Sequence, residues 1–153
     1  SKQHLKKKKL KTKPKQFKKK SKRNKHTIIN KTIQNKLKQM NKSKNKKLII
    51  LGKSFKPETN IITGSPSIYL YNSLKNKKKD ILIWDPEIDN LEFDEFIKKN
   101  KLGRKKIVYF IGTQHKAFLN INFGKGSLVI DPFRYIKQRN GVKILEVGEG
   151  AKL

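Results

Sequence analysis

From Leu48 onward the chain alternates short, continuously apolar runs with longer mixed segments. Leu48-Ile49-Ile50-Leu51, Ile81-Leu82-Ile83-Trp84, Ile107-Val108-Tyr109-Phe110-Ile111 and Leu128-Val129-Ile130 contain no charged residue. A strand with one wet face would alternate apolar and polar positions, so unbroken runs predict strands covered on both faces, as in a parallel sheet. The runs predict strands at 48–51, 81–84, 107–111 and 128–131, with a further strand at 142–147. Between the first two, Ser65-Pro66 supplies an N-cap and a proline suited to the first helical position, which predicts a helix over 66–76. A second, shorter helix is predicted from about Glu92 to Lys99.

Strands that alternate with helices across short connections imply right-handed βαβ units. The expected fold is α/β, a Rossmann-like three-layer domain with a mostly parallel sheet of about five strands and ligand groups at the strands' C-terminal ends. Upstream the pattern changes. Within Thr27–Met40, Ile29, Ile33, Leu37 and Met40 fall on one face of a helix, whereas residues 1–26 show no apolar periodicity. The expected organisation is a basic low-complexity tail over 1–26, an amphipathic helix and linker over 27–47, and the α/β domain over 48–153. Periodicity alone leaves open whether the helix covers its own domain's core or contacts a partner.

Charge sharpens that division. The 153 residues carry 40 Lys+Arg against 11 Asp+Glu, a formal net charge of +29. Residues 1–47 hold 21 of the basic residues and no acid, leaving 19 basic and 11 acidic residues on 48–153. In the tail, Lys6, Lys7, Lys8, Lys9, Lys18, Lys19, Lys20, Lys22 and Arg23 repel one another, and the segment has too little apolar surface for a core, so disorder is expected in free solution. Such a polycation can hold the phosphate backbone of RNA or DNA by counterion release without reading sequence, and only Phe17 is available to stack on a base. The same clusters also resemble nuclear-targeting and acidic-membrane-binding segments. The absence of Cys excludes a disulfide framework, a thiolate metal site and a cysteine nucleophile, and fits a reducing compartment. With no apolar run of about 18 residues and no apolar signal-peptide core, the expectation is an intracellular protein without a membrane span. Ser1 at the start is compatible with removal of an initiator methionine.

Four motifs carry a family resemblance. Leu51-Gly52-Lys53-Ser54-Phe55-Lys56 through Ser65-Pro66 comes first, followed by Ile81 to Pro86, which ends in Asp85-Pro86. Gly112-Thr113-Gln114-His115-Lys116-Ala117-Phe118 and Val129-Ile130-Asp131-Pro132-Phe133-Arg134 complete the set. In this order, over residues 48–147, they resemble the C-terminal, UDP-binding domain of the UDP-glucose/GDP-mannose dehydrogenase family. The resemblance implies a nucleotide-sugar site in which Phe55 supplies a wall and Lys56 a point cation beside the helix start at Ser65, with Arg134 reaching phosphate.

Each residue also has a plainer reading. Lys56 can be an ordinary exposed lysine. Arg134 stands three residues after Asp131 where many relatives place arginine two after, and it can instead pair with Asp131 or Asp85. His115 reads as a packing or hydrogen-bonding residue, because no nucleophile or acid stands beside it in sequence. Asp85, Glu87 and Asp89 alternate like cation ligands, yet an Asp-Pro turn accounts for Asp85. Thr63-Gly64 stand where relatives commonly carry Arg-Glu, so the arginine that the family associates with the neighbouring subunit's cofactor is replaced.

Gly52 and Gly64 form neither a dinucleotide fingerprint nor a P-loop, and the cysteine that holds the thiohemiacetal in the resembled enzymes has no counterpart. The resemblance therefore implies NAD only through a separate N-terminal dehydrogenase domain, and no oxidation by this chain alone. Two functions follow as expectations. One is a UDP-sugar-binding domain that works with a dehydrogenase N-terminal half or within a larger assembly. The other is a structural nucleic-acid-associated protein, in a ribosome or a virion, whose lysine tail binds phosphate while the domain serves as scaffold.

Overall fold

The computed structural model describes residues 47–77 and 80–147, with Lys31 alone before them. The basic tail over 1–26 and the amphipathic pattern of Ile29–Met40 lie outside the described residues.

The apolar runs form five strands, β1 (Leu48–Leu51), β2 (Ile81–Trp84), β3 (Val108–Ile111), β4 (Leu128–Asp131) and β5 (Lys143–Glu146). They make one sheet in the order β2-β1-β3-β4-β5, and every neighbouring pair is parallel. Helix α1 (Pro66–Lys75) links β1 to β2, and α2 (Phe93–Lys99) lies between β2 and β3. This is the Rossmann-like α/β architecture expected from the apolar runs. Strand β3 starts one residue later than predicted, where the Ile107 N–H is donated to Ser127 Oγ. A 3-10 turn at Lys116–Asn120, which no periodicity announced, sits in the segment read as a loop.

Alternate residues of each strand face opposite layers. Leu48, Ile50, Val108, Phe110 and Ile130 pack with Leu70 and Leu74 of α1. Ile49, Leu51, Tyr109, Ile111 and Val129 pack on the other side with Trp84, Phe93, Phe96, Ile97, Phe118 and Phe123. Covering both faces explains why β1 is buried at every position and reads as an uninterrupted apolar run. On the aromatic side the Trp84 ring meets Phe93 edge-on at 5.1 Å and donates its Nε1–H to Leu91 O at 2.9 Å, so its one polar atom is satisfied inside the core. Helix α2 buries Phe93, Phe96 and Ile97, and carries Asp94 and Glu95 in its first turn and Lys98 and Lys99 in its last, the charge order that the helix dipole favours.

Candidate functional site

The strand order reverses direction at β1. The chain passes from β1 through α1 to β2 on one side, then crosses to β3 on the other, and the C-terminal ends of β1 and β3 are where open sheets of this kind form a crevice. Two glycines line it. Gly52 leaves β1 with φ +101, a conformation that a side chain rarely adopts, and a Cβ there would lie 2.5 Å from Thr113 Cγ2. Gly112 leaves β3 with its N–H donated to Leu51 O, while Gly52 donates to Trp84 O.

Helix α1 starts beside this crevice. Ser65 is its N-cap, and its Oγ accepts the Ile68 N–H at 3.4 Å. Pro66 occupies the first helical position, and no acid stands in the first turn, so nothing on the helix itself neutralises the positive end of its dipole. Ser67 Oγ is buried with no hydrogen-bond partner.

The loop between β1 and α1 is tied to the ends of β2 and β3 through Asp85. This carboxylate, fully buried, accepts the N–H groups of Lys53 at 2.6 Å, Ser54 at 2.9 Å and Glu87 at 2.9 Å. Burial pushes its pKa up, but the His115 hydrogen bond and those backbone donors outweigh burial and bring it down to about 2. Lys53 is committed nearby, its ammonium paired with Asp89, whose other oxygen accepts the Asp85 N–H. The carboxylates of Asp85 and Asp89 are thus engaged in this turn and with the loop after β1, while Glu87 contributes only its backbone N–H.

His115 is buried, with Nε2 at 3.1 Å from Asp85 Oδ2 and 2.8 Å from Ser54 Oγ. Its Nδ1 accepts the Glu58 N–H at 3.1 Å, which places the ring proton on Nε2. A serine-histidine-aspartate triad needs the serine and the carboxylate on opposite ring nitrogens; here both sit on Nε2, so the arrangement does not activate Ser54. Glu58, Glu87 and His115 each bring a possible metal-ligating atom within 4.8 Å of the others. The Nδ1 lone pair is already used by Glu58 N–H, and Glu58 Oε1 by the Lys116 N–H at 2.7 Å, so two of the three groups are engaged within the protein and we assign no metal to the cluster.

Phe55, half exposed, and Lys56, exposed, stand four and five residues beyond the end of β1. Ser65 is buried and spends its hydroxyl on the helix cap. Arg134 follows β4 with φ 55, in a turn organised by Asp131, whose carboxylate accepts the N–H groups of Phe133, Tyr135 and Ile136. Its Nε lies 3.5 Å from Glu146 Oε2, a partner that the sequence did not single out. Phe55, Lys56 and Ser65 follow the C-terminal end of β1 and Arg134 that of β4, and those two strand ends are two strand spacings apart, about 10 Å. Lys6, Lys7, Lys8, Lys9, Lys18, Lys19, Lys20, Lys22 and Arg23 lie outside the described residues.

A family profile described as the UDP binding domain of the UDP-glucose/GDP-mannose dehydrogenase family matches residues 49–140. The chain belongs to the UDP-glucose/GDP-mannose dehydrogenase family. Solved structures agree in fold. The UDP-D-ManNAc dehydrogenase of Pyrococcus horikoshii superposes with a TM-score of 0.62 at 23% identity, over 82% of this chain and 31% of its own. The UDP-N-acetyl-mannosamine dehydrogenase Cap5O of Staphylococcus aureus superposes with a TM-score of 0.59 at 19% identity, over 79% of this chain and 29% of its own. The chain thus spans about a third of the length of these enzymes. No protein of curated function matches it at a significant level. No helix among the described residues is long and apolar enough to cross a membrane.

Glu58 and Ser67 are the residues of this dehydrogenase-family domain that sequence reasoning missed. A glutamate after proline carries no signal of its own, and Ser67 reads as an ordinary second residue of a helix. Ser67 stands against Gly112, where an added Cβ would lie 2.0 Å from its Oγ, a closeness that no local pattern announces.

Proposed function

We propose that the domain binds the nucleotide diphosphate of a UDP-sugar at the C-terminal ends of β1, β3 and β4. The observation that carries this reading is the unneutralised N-terminus of α1 at the point where strand order reverses, with Lys56 on the loop leading to it. Lys56 contributes a point cation, Phe55 an exposed ring for a planar or sugar face, and Arg134 a guanidinium from the β4 side. Ser65 serves by holding the helix start in place. The family and its solved members, named for UDP-sugar substrates, support the choice of nucleotide.

Oxidation of the sugar belongs to an assembly in which an N-terminal dehydrogenase half supplies NAD and the reacting groups. Binding is testable on this chain alone. UDP at about 100 times its Kd stabilises the folded state by about 2.7 kcal/mol, read as a rise in melting temperature. Lys56→Ala is expected to weaken UDP about tenfold by calorimetry, the loss of one charge-assisted contact. A melting temperature unmoved by millimolar UDP would overturn the reading.

The 21 basic and no acidic residues of 1–47 favour a second activity alongside the first. We assign them to phosphate-backbone binding of RNA or DNA without sequence preference. Filter binding at rising salt is expected to show affinity falling linearly on a log-log scale, and deleting residues 1–26 is expected to remove most of it. Retention of full affinity by that deletion would place the contact on the domain instead.

A further inference from the structure

The loop that carries Phe55 and Lys56 has its own internal bonds. Phe55 N–H donates to Ile61 O at 2.6 Å, Thr59 Oγ1 to Lys56 O at 2.9 Å, and Ser65 N–H to Ile62 O at 3.0 Å. Asp85 anchors the start of the loop at the Lys53 and Ser54 N–H groups, before Phe55. Glu58 supplies a second attachment, beyond Lys56. Its N–H donates to His115 Nδ1 at 3.1 Å, and its Oε1 accepts the Lys116 N–H at 2.7 Å, so one residue is clasped from both sides by the segment that follows β3. The backbone of Glu58 is held at φ 55, a left-handed conformation that a glutamate adopts only when its surroundings impose it.

His115 is in turn fixed from behind. Its Nε2–H is shared between Ser54 Oγ at 2.8 Å and Asp85 Oδ2 at 3.1 Å, and its ring packs edge-on to Phe118 with centroids 5.3 Å apart. The acceptor that Glu58 meets is therefore rigid, oriented by the end of β2 and by the aromatic core, as a ligating or catalytic histidine is oriented by a carboxylate behind it.

We propose that His115 and Glu58 are positioning residues for the nucleotide-diphosphate site: their clasp sets where Phe55 and Lys56 stand relative to the ends of β1 and β3. The inference rests on the UDP-sugar reading. Lys56 lies two residues from Glu58, so release of the clasp frees the lysine without removing its charge. Preorganisation is lost, and affinity falls because the loop must then be ordered on binding.

Glu58 is exposed, so its variants are expected to fold, and three substitutions separate the parts of the clasp. Glu58→Ala removes the acceptor for Lys116 N–H, whereas Glu58→Gln keeps a carbonyl oxygen there. His115→Gln keeps a side-chain N–H directed at Asp85 but withdraws the acceptor from Glu58. The measurements are UDP affinity by calorimetry, amide hydrogen exchange of residues 55–60 without ligand, and melting temperature. Glu58→Ala is expected to bind UDP about fivefold more weakly and to exchange faster at 55–60, with a melting temperature close to that of the wild type. Glu58→Gln is expected to restore both affinity and protection, and His115→Gln to behave as Glu58→Ala or worse. A purely structural role would move the melting temperature and leave affinity at saturating stability unchanged, and that result overturns the proposal. So does Glu58→Ala with wild-type affinity and exchange, while the UDP-sugar reading stands. A wild type that fails to bind UDP overturns that reading and the positioning role with it, even where exchange at 55–60 responds to the substitutions.

Discussion

Asp85→Ala is expected to destabilise the domain by about 3–5 kcal/mol, the range for removing one partner from a buried charged network. The carboxylate accepts three backbone N–H groups and the His115 Nε2–H, and alanine would leave those donors facing a small apolar void. Asp85→Asn, which keeps one carbonyl oxygen but turns the other position into a donor, is expected to lose part of that amount. Acid separates charge from shape. Because the folded pKa lies at about 2, below the ordinary carboxylate value of 3.8, ionised Asp85 stabilises the fold above pH 4. This contribution, about 2 kcal/mol, is lost as pH falls from about 4 through about 2. Urea unfolding at a series of pH values measures it: the difference between wild type and Asp85→Asn is expected to shrink over that window. A constant difference would show that the carboxylate's charge contributes nothing and that only its shape matters.

Gly112→Ala is expected to cost about 1–3 kcal/mol, and the loss is expected to be recovered largely by a change elsewhere in the chain. An alanine Cβ at 112 would stand 2.0 Å from Ser67 Oγ, 3.1 Å from Ser67 Cβ and 3.0 Å from Gly52 O. The first of these contacts is impossible, and the other two are tight. Ser67→Ala removes the hydroxyl that causes the first. By itself that substitution is expected to be neutral or stabilising by about 1 kcal/mol, since the buried Oγ has no hydrogen-bond partner to lose. A double-mutant cycle is expected to show a coupling above about 1 kcal/mol, with the double variant more stable than Gly112→Ala alone. Additive effects would mean that the helix start moves away from β3 at little cost, and that the crevice is looser than its packing indicates.

The two tests address different fastenings of one edge of the sheet. Asp85 fastens the loop after β1 to the end of β2, and the Ser67–Gly112 contact sets how closely α1 approaches β3. A ligand held by the start of α1 and by Lys56 depends on both, so either variant is expected to weaken UDP as well as the fold.

Local pattern determined the elements. Strands β1 to β4 were legible because a run such as Leu48–Leu51, buried on both faces, is apolar almost throughout. Helix α1 was legible because Ser65-Pro66 is a start signal complete within a few residues. Four ordered motifs likewise carried the family. Tertiary structure alone decided how the loops at the strands' C-terminal ends are held. The bond from Ser54 to His115 joins residues 61 apart in sequence, and the bond from Glu58 to His115 joins residues 57 apart. Neither residue type nor spacing announces such pairs, because the sheet brings their strands' ends together only after β1 and β3 lie side by side. For the same reason His115 read correctly as a hydrogen-bonding residue while its partners stayed hidden. Arg134 read as a phosphate ligand or as the partner of a nearby aspartate, while Glu146 entered its surroundings only through the pairing of β4 with β5. Sequence fixes what is repeated or adjacent along the chain, and contacts across the sheet exist only once strand order is set.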